Sequence, residues 1–269
     1  MLTVRRHRIN ALRSTGSLTC AQHSAEPANR ALPCLLMIPG TLCDARLFER
    51  QIRALRGVAR VVVADYSRLK VRSAWLDNLL ACLPERFAVA GFSLGGMFAL
   101  ELLRMAPERI DRLALIASNA QPAGRKHQHR GRQLRRLWQS HGPEHLFRLL
   151  QSGYFHHDAA RRRHAPLVGR MAVDTPRQAA LQQFAWAAQR PSGLDTLRDF
   201  MRPLLIASGA LDRVCPPKLQ RAMRDAQPRA RWLQIPRCGH FVPLEAAVPL
   251  NGALVRWMHE PLTSQGVFT

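Results

Sequence analysis

Short apolar runs that recur along the chain, each followed by a segment of helical period, limit its possible folds more than any other feature. Leu35-Leu36-Met37-Ile38 is the first run and ends at Pro39-Gly40. Val58 to Tyr66, Phe87 to Phe92 and the RLALIAS segment from Arg112 to Ser118 follow. After a long break the pattern returns at Pro203 to Ala207 and at Trp232 to Ile235. These runs are nearly continuous rather than alternating, as expected of strands covered on both faces. Helix-period segments lie at 45–56, 73–83, 94–106, 216–226 and 245–259, the last with Pro249 placed to kink or delay it. Strands separated in this way need crossover connections, so the expected class is α/β, a mainly parallel sheet flanked by helices.

The break spans residues 120–200, which have helical character and no strand signal. We read it as a helical cap inserted into a core formed by 31–119 and 201–269. Residues 1–30 carry Arg5, Arg6, Arg8, Arg13 and Arg30 against Glu26 alone and lack an apolar stretch of signal-peptide length. They are expected to be a flexible basic extension; a transit-like segment or a start codon assigned too early fits the same composition. No run of about 18 apolar residues occurs, so no membrane span is expected.

Charge is the unusual part of the composition. Lys plus Arg total 40 against 18 acidic residues, a formal +22, and Arg supplies nearly all of it, the lysines being Lys70, Lys126 and Lys218. Such a field attracts polyanions. Residues 125–136 hold Arg125, Lys126, Arg130, Arg132, Arg135 and Arg136 without interleaved aromatics, which argues against a specific nucleic-acid surface. Six cysteines, at 20, 34, 43, 82, 215 and 238, form no CxxC pair. No metal site is expected, and buried thiols suit a reducing, cytoplasmic compartment.

One segment carries chemistry. Gly91-Phe92-Ser93-Leu94-Gly95-Gly96 is a G-x-S-x-G sequence directly after a strand and directly before a helix. A serine on so sharp a turn projects its hydroxyl above the sheet edge, and the helix directs its first amides toward the same point. Such a serine needs a base, and the base needs an orienting carboxylate. Asp212, in GALDRV after the PLLIASG run, and His240, in CGHF after RWLQIP, both follow strand ends, where α/β sheets build their sites. Taken singly, Asp212 also fits a turn or capping residue and His240 a surface histidine. Their order, Ser then Asp then His, joins them. An oxyanion hole needs two backbone N–H groups. Leu94 supplies one, and Thr41 in Pro39-Gly40-Thr41-Leu42-Cys43-Asp44 is the choice for the other, with Asp44 as helix N-cap.

Four pieces, PGTLCDARLF at 39–48, GFSLGG at 91–96, GALDRVCP at 209–216 and CGHFVPLE at 238–245, make the chain resemble the α/β-hydrolase superfamily over about residues 33–260. It is similar to small capped carboxylesterases of the pimeloyl-carrier-protein methyl ester esterase type. The resemblance implies a triad of Ser93, Asp212 and His240, oxyanion donors at Thr41 and Leu94, and no cofactor. Many relatives have His-Gly where this chain has Pro39-Gly40, and the antiparallel hairpin that usually opens the fold has only the charged stretch Val4 to Ile9 to form it, so a sheet of about six strands is expected. The resemblance also implies that arginines of the cap, those of 125–136 and Arg161-Arg162-Arg163, could hold an acidic acyl carrier protein; a merely solvated basic face is the alternative. Ester hydrolysis through an acyl-enzyme is the expected reaction. Carbon–carbon bond hydrolysis, perhydrolysis and acyl transfer use the same triad, and a non-catalytic ligand-binding scaffold would keep it unused. Trp138, Phe147, Phe184 and Trp186 are candidates either for an acyl pocket or for the cap's own core.

Overall fold

The computed structural model describes residues 32–262, so the N-terminal extension, Cys20 and the Val4–Ile9 stretch lie outside the described residues. Six strands, β1 (Cys34–Ile38), β2 (Arg60–Val63), β3 (Phe87–Phe92), β4 (Ile110–Ile116), β5 (Leu204–Gly209) and β6 (Arg231–Ile235), form one sheet in the order β2-β1-β3-β4-β5-β6. Every neighbouring pair is parallel. Burial follows that order. β1, β3 and β5 are buried throughout, whereas the edge strands β2 and β6 are partly exposed.

Among the described residues ten α-helices accompany the sheet: α1 (Glu49–Ala54), α2 (Arg72–Cys82), α3 (Leu94–Met105), α4 (Arg125–Leu150), α5 (Asp158–Asp174), α6 (Arg177–Gln189), α7 (Leu194–Arg198), α8 (Pro217–Ala226), α9 (Val242–Glu245) and α10 (Ala247–His259). Side chains of a strand alternate between faces. Leu35 and Met37 of β1 therefore join one core with Phe48, Leu250, Leu254 and Trp257, beneath α1 and α10. Cys34, Leu36 and Ile38 join the other with Trp75, Phe98, Leu102 and Met223, beneath α2, α3 and α8.

Several boundaries differ from the sequence expectation for local reasons. The 45–56 segment starts as a 3-10 turn, Ala45–Phe48, capped by the Asp44 carboxylate, which accepts from the Arg46 N–H at 2.9 Å. The 245–259 helix is split. α9 ends at Glu245 and α10 begins at Ala247, which puts Pro249 in its first turn, where a missing N–H breaks no bond. Pro249 therefore causes no kink. Pro143, preceded by Gly142 at φ 73°, does interrupt α4.

Helices α4–α7 occupy the break between β4 and β5, and the described residues there form no strand. Trp138 and Phe184 pack together, ring centroids 6.0 Å apart, in a small core with Leu146, Ala172, Ala180 and Leu42. Trp186 instead joins the main core, stacked on Phe98 and covered by the Arg72 guanidinium at 4.1 Å. These aromatics are thus core residues. Phe147 is half-buried against both neighbouring cores.

The packing of α3 on the sheet leaves no room at its first turn. A Cβ on Gly95 would lie 2.0 Å from the Ile38 carbonyl oxygen and 2.5 Å from that of Pro39. Gly95→Ala is expected to cost roughly 1–3 kcal/mol, the usual cost of overpacking, read as a lower urea midpoint with an unchanged slope.

Candidate active site

The strand order reverses between β1 and β3, and the loops leaving their carboxyl ends open a crevice there. The loop after β1 contains Thr41, and the turn after β3 contains Ser93. Asp212 follows β5 and His240 follows β6, so all four reach the same edge of the sheet.

Ser93 has φ 52° and ψ −116°, a left-handed conformation that an L residue adopts only under constraint. Its N–H donates to the Ile116 carbonyl at 2.8 Å, and its carbonyl accepts from the Ser118 hydroxyl at 2.7 Å. Those bonds, with Gly91 and Gly95 on either side, hold the turn. His240 Nε2 lies 2.9 Å from Ser93 Oγ, and His240 Nδ1 lies 2.8 Å from Asp212 Oδ2. The structure thus joins the three residues in one continuous chain. His240 is 3% exposed, so it is not a surface histidine, and Phe92, Tyr154 and Phe241 surround its ring.

Asp212 uses both oxygens. Oδ1 accepts from the backbone N–H groups of Val214 and Cys215, each at 2.8 Å, while Oδ2 faces the imidazole. The turn residue and the partner of His240 are therefore one side chain. Burial pushes its pKa up, but the charge and hydrogen bond of His240 and the two amides outweigh burial and hold it below the ordinary 3.8.

The N–H groups of Thr41 and Leu94 have no acceptor among the described residues. Leu94 opens α3 directly after Ser93, where the helix dipole adds partial positive charge. Thr41 sits in a turn closed by Cys43 N–H to Gly40 O at 3.1 Å, with Leu42 at φ 57°. Tyr66 supports the same loop, its hydroxyl donating to Pro39 O at 2.8 Å.

The sequence analysis missed several supporting groups. Glu245 is buried beneath the His240 loop. Its carboxylate accepts from the N–H groups of Gly239, Phe241 and His156, and its Oε2 pairs with His156 Nδ1 at 2.7 Å. The His240 N–H donates to Tyr154 O at 2.8 Å. Buried Gln220 donates to Ser118 O and Cys215 O, tying the Asp212 turn to the serine elbow. Glu245 lay inside the CGHFVPLE segment, a signal that could have flagged it. The partners of Gln220 gave none. Cys43, Cys215 and Cys238 are buried thiols whose pKa burial drives upward, so they stay protonated. Among the described residues no group of three His, Cys, Asp or Glu side chains is arranged to hold a metal ion.

Residues 70–247 match the alpha/beta hydrolase fold family over more than half of the chain. The chain belongs to the α/β-hydrolase family. A segment of 46 residues is 48% identical to the pimeloyl-[acyl-carrier protein] methyl ester esterase of Aromatoleum aromaticum, covering 17% of this chain and 18% of that one. The chain therefore matches less than a fifth of that relative's length. Among solved structures, a thermophilic esterase from Thermogutta terrifontis superposes with TM-score 0.74 at 22% identity, over 85% of this chain and 90% of the other. The enol-lactonase from Burkholderia xenovorans LB400 gives 0.72 at 19% identity, over 85% and 92%. The fold is common to all of them.

Because the folded pKa of Asp212 is depressed, its contribution to stability is present above the unfolded value and is lost as pH falls through the folded one. The stability gap between wild type and Asp212→Asn is expected to be widest at neutral pH and to close on acidification below about pH 4. Urea midpoints of both proteins across that range measure it.

Proposed function

We propose that this protein is a serine hydrolase that cleaves carboxylic esters through an acyl-enzyme. One observation carries the reading: a strained serine is linked through a buried histidine to a buried carboxylate by bonds of 2.9 and 2.8 Å. Two backbone N–H groups without acceptors among the described residues flank it, that of Thr41 in the loop after β1 and that of Leu94 at the start of α3. Ser93 is the nucleophile in this reading, His240 the general base and Asp212 the residue that fixes the imidazole tautomer. As Ser93 Oγ bonds to the ester carbonyl carbon, His240 Nε2 takes its proton. The carbonyl electrons move to oxygen, which the Thr41 and Leu94 amides stabilise. The intermediate collapses, the carbon–oxygen bond to the alcohol breaks, and His240 returns the proton to the leaving oxygen. Water then attacks the acyl carbon, His240 taking its proton; as that second intermediate collapses the carbon–oxygen bond to Ser93 breaks, His240 returns the proton to Ser93 Oγ, and the acid leaves. His240 thus gives back each proton it takes, the first to the alcohol and the second to Ser93, and the cycle balances without a cofactor.

Ser93→Ala is expected to abolish p-nitrophenyl ester turnover and fluorophosphonate labelling, and Asp212→Asn to lower kcat by about 10⁴. A folded wild-type protein with neither turnover nor labelling would overturn the reading.

For a partner, we propose that helices α4–α7 act as a cap and that their arginines receive an acidic acyl carrier protein. The partial match to an esterase that acts on such a substrate supports this. So does charge: Arg125, Arg130, Arg132, Arg135, Arg136, Arg162 and Arg163 are exposed. A groove of about 730 Å³ between α5 and the second half of α4 has Phe147 and Pro166 in its wall and Arg148, Arg161, Arg162 and Arg170 around them. Turnover of an ester held on a carrier protein is expected to fall steeply with added salt, while turnover of a small ester does not. Equal salt sensitivity for both would remove the carrier.

A further inference from the structure

Four glutamine side chains are buried among the described residues: Gln51, Gln183, Gln220 and Gln227. Three of them use the amide nitrogen to pin backbone carbonyls. Gln51 Nε2 donates to Pro243 O at 3.2 Å and to Asn251 Oδ1 at 2.9 Å. Gln220 Nε2 donates to Ser118 O at 2.8 Å and Cys215 O at 3.2 Å. Gln227 Nε2 reaches the carbonyls of Leu197, Arg198 and Phe200 at 3.1, 3.0 and 2.9 Å.

Gln183 works the other way round. It lies on α6 and is fully buried, and its Oε1 accepts the Leu42 N–H at 2.8 Å. The orientation of the amide is fixed by chemistry, because only oxygen can accept from an N–H. Its Nε2 is then left buried with no acceptor among the described residues. A buried donor left unpaired is expensive, but a methionine at this position would leave the Leu42 N–H unpaired in its turn. The position therefore holds glutamine for the acceptor it gives Leu42, and the Nε2 donor comes with it.

Oε1 acts on the turn that presents Thr41. Tyr66 grips that loop at Pro39 O, two residues before Thr41, and Gln183 grips it at Leu42 N, one residue after. Leu42 has φ 57°, a conformation an L residue gives up readily unless it is held. Release of Leu42 would let the Thr41 N–H swing away from the position of a developing oxyanion. Nε2, on the same side chain, has no acceptor among the described residues.

We propose that Gln183 is a positioning and specificity residue of this site. Its Oε1 aims the Thr41 N–H, and its Nε2 donates to a second oxygen on the substrate, outside the reacting ester group. The preferred substrates are then acyl esters whose chain carries a further hydrogen-bond acceptor. The inference rests on the serine hydrolase reading above.

The test compares wild type with Gln183→Met on p-nitrophenyl hexanoate and on analogues in which an ether oxygen replaces each chain methylene in turn. On hexanoate, Gln183→Met is expected to lose about tenfold to a hundredfold in kcat with little change in KM, less than the loss from deleting an oxyanion donor outright. Affinity for a trifluoromethyl ketone, which forms a tetrahedral adduct on the serine, should fall in step with kcat/KM. Wild type should favour an ether oxygen at one chain position through a lower KM, and Gln183→Met should lose that preference. An unchanged kcat in the folded variant overturns the positioning role. An ether preference absent from wild type, or retained in the variant, overturns the substrate contact. Gln183→Leu repeats the comparison should the methionine variant fail to fold. A wild-type protein that neither turns over any ester nor reacts with fluorophosphonate defeats the underlying reading instead, and this assignment falls with it.

Discussion

The close approach of α3 to β1 and β3 is the constraint on which the site depends. Gly91 and Gly95 face one another across the serine turn, and a Cβ on Gly91 would stand 2.3 Å from Gly95 O. With no space for either side chain, the chain between strand and helix takes the shortest path open to it. Ser93 bears the resulting strain at φ 52°. The same edge of the sheet carries the other departures. Among the described residues the non-glycine positions with positive φ are Leu42, Ser93, Ala117 and Arg237, each just beyond the carboxyl end of β1, β3, β4 or β6. Strain of this kind persists only where surrounding structure over-determines it. Here the well-packed sheet beneath provides that support.

Rigidity below is matched by ties from the α4–α7 region. Tyr154 supplies a carbonyl to the His240 N–H, His156 pairs with the Glu245 carboxylate under the His240 loop, and Gln183 holds Leu42. Two of the loops that meet at the crevice are thus fastened to residues of the segment that interrupts the sheet. A shift of that segment would be felt at His240 and at the turn containing Thr41 together. Its residues are therefore coupled to both loops.

The sheet was legible because its signal is local. Each buried strand is a run of apolar residues, and each crossover helix has its own period, so class and strand count follow from short windows. Ser93, Asp212 and His240 were legible for the same reason: each sits in a short turn sequence at the end of such a run. Gln183 and Gln220 were not. Their partners are 141 and 102 residues away and are backbone atoms, which carry no residue-type signature. Of the two effects expected of Pro249, the helix does start late, at Ala247, but no kink forms, because a proline's effect depends on which turn of the helix it occupies, and the break at Ala246 that resets α10 leaves little trace in sequence. The aromatics of α4 and α6 were ambiguous because a cap core and an acyl pocket demand the same residue types.

The choice of polar groups around the reactive edge follows from the charge of the chain. With a formal +22, arginine is abundant and could have supplied the donor ties that Gln220 makes, though not the acceptor that Gln183 offers Leu42. Between the reactive loops the protein instead places neutral amides at Gln183 and Gln220 and one carboxylate, Glu245, whose two oxygens accept three backbone donors and face His156. A fixed charge beside the serine elbow would interact with His240 and the Asp212 carboxylate, and in a low-dielectric site that coupling is large. An amide ties the same loops while adding no net charge. The ties at Gln183 and Gln220 thus add no positive charge beside Ser93, Asp212 and His240, and Glu245 is the one charged group among them.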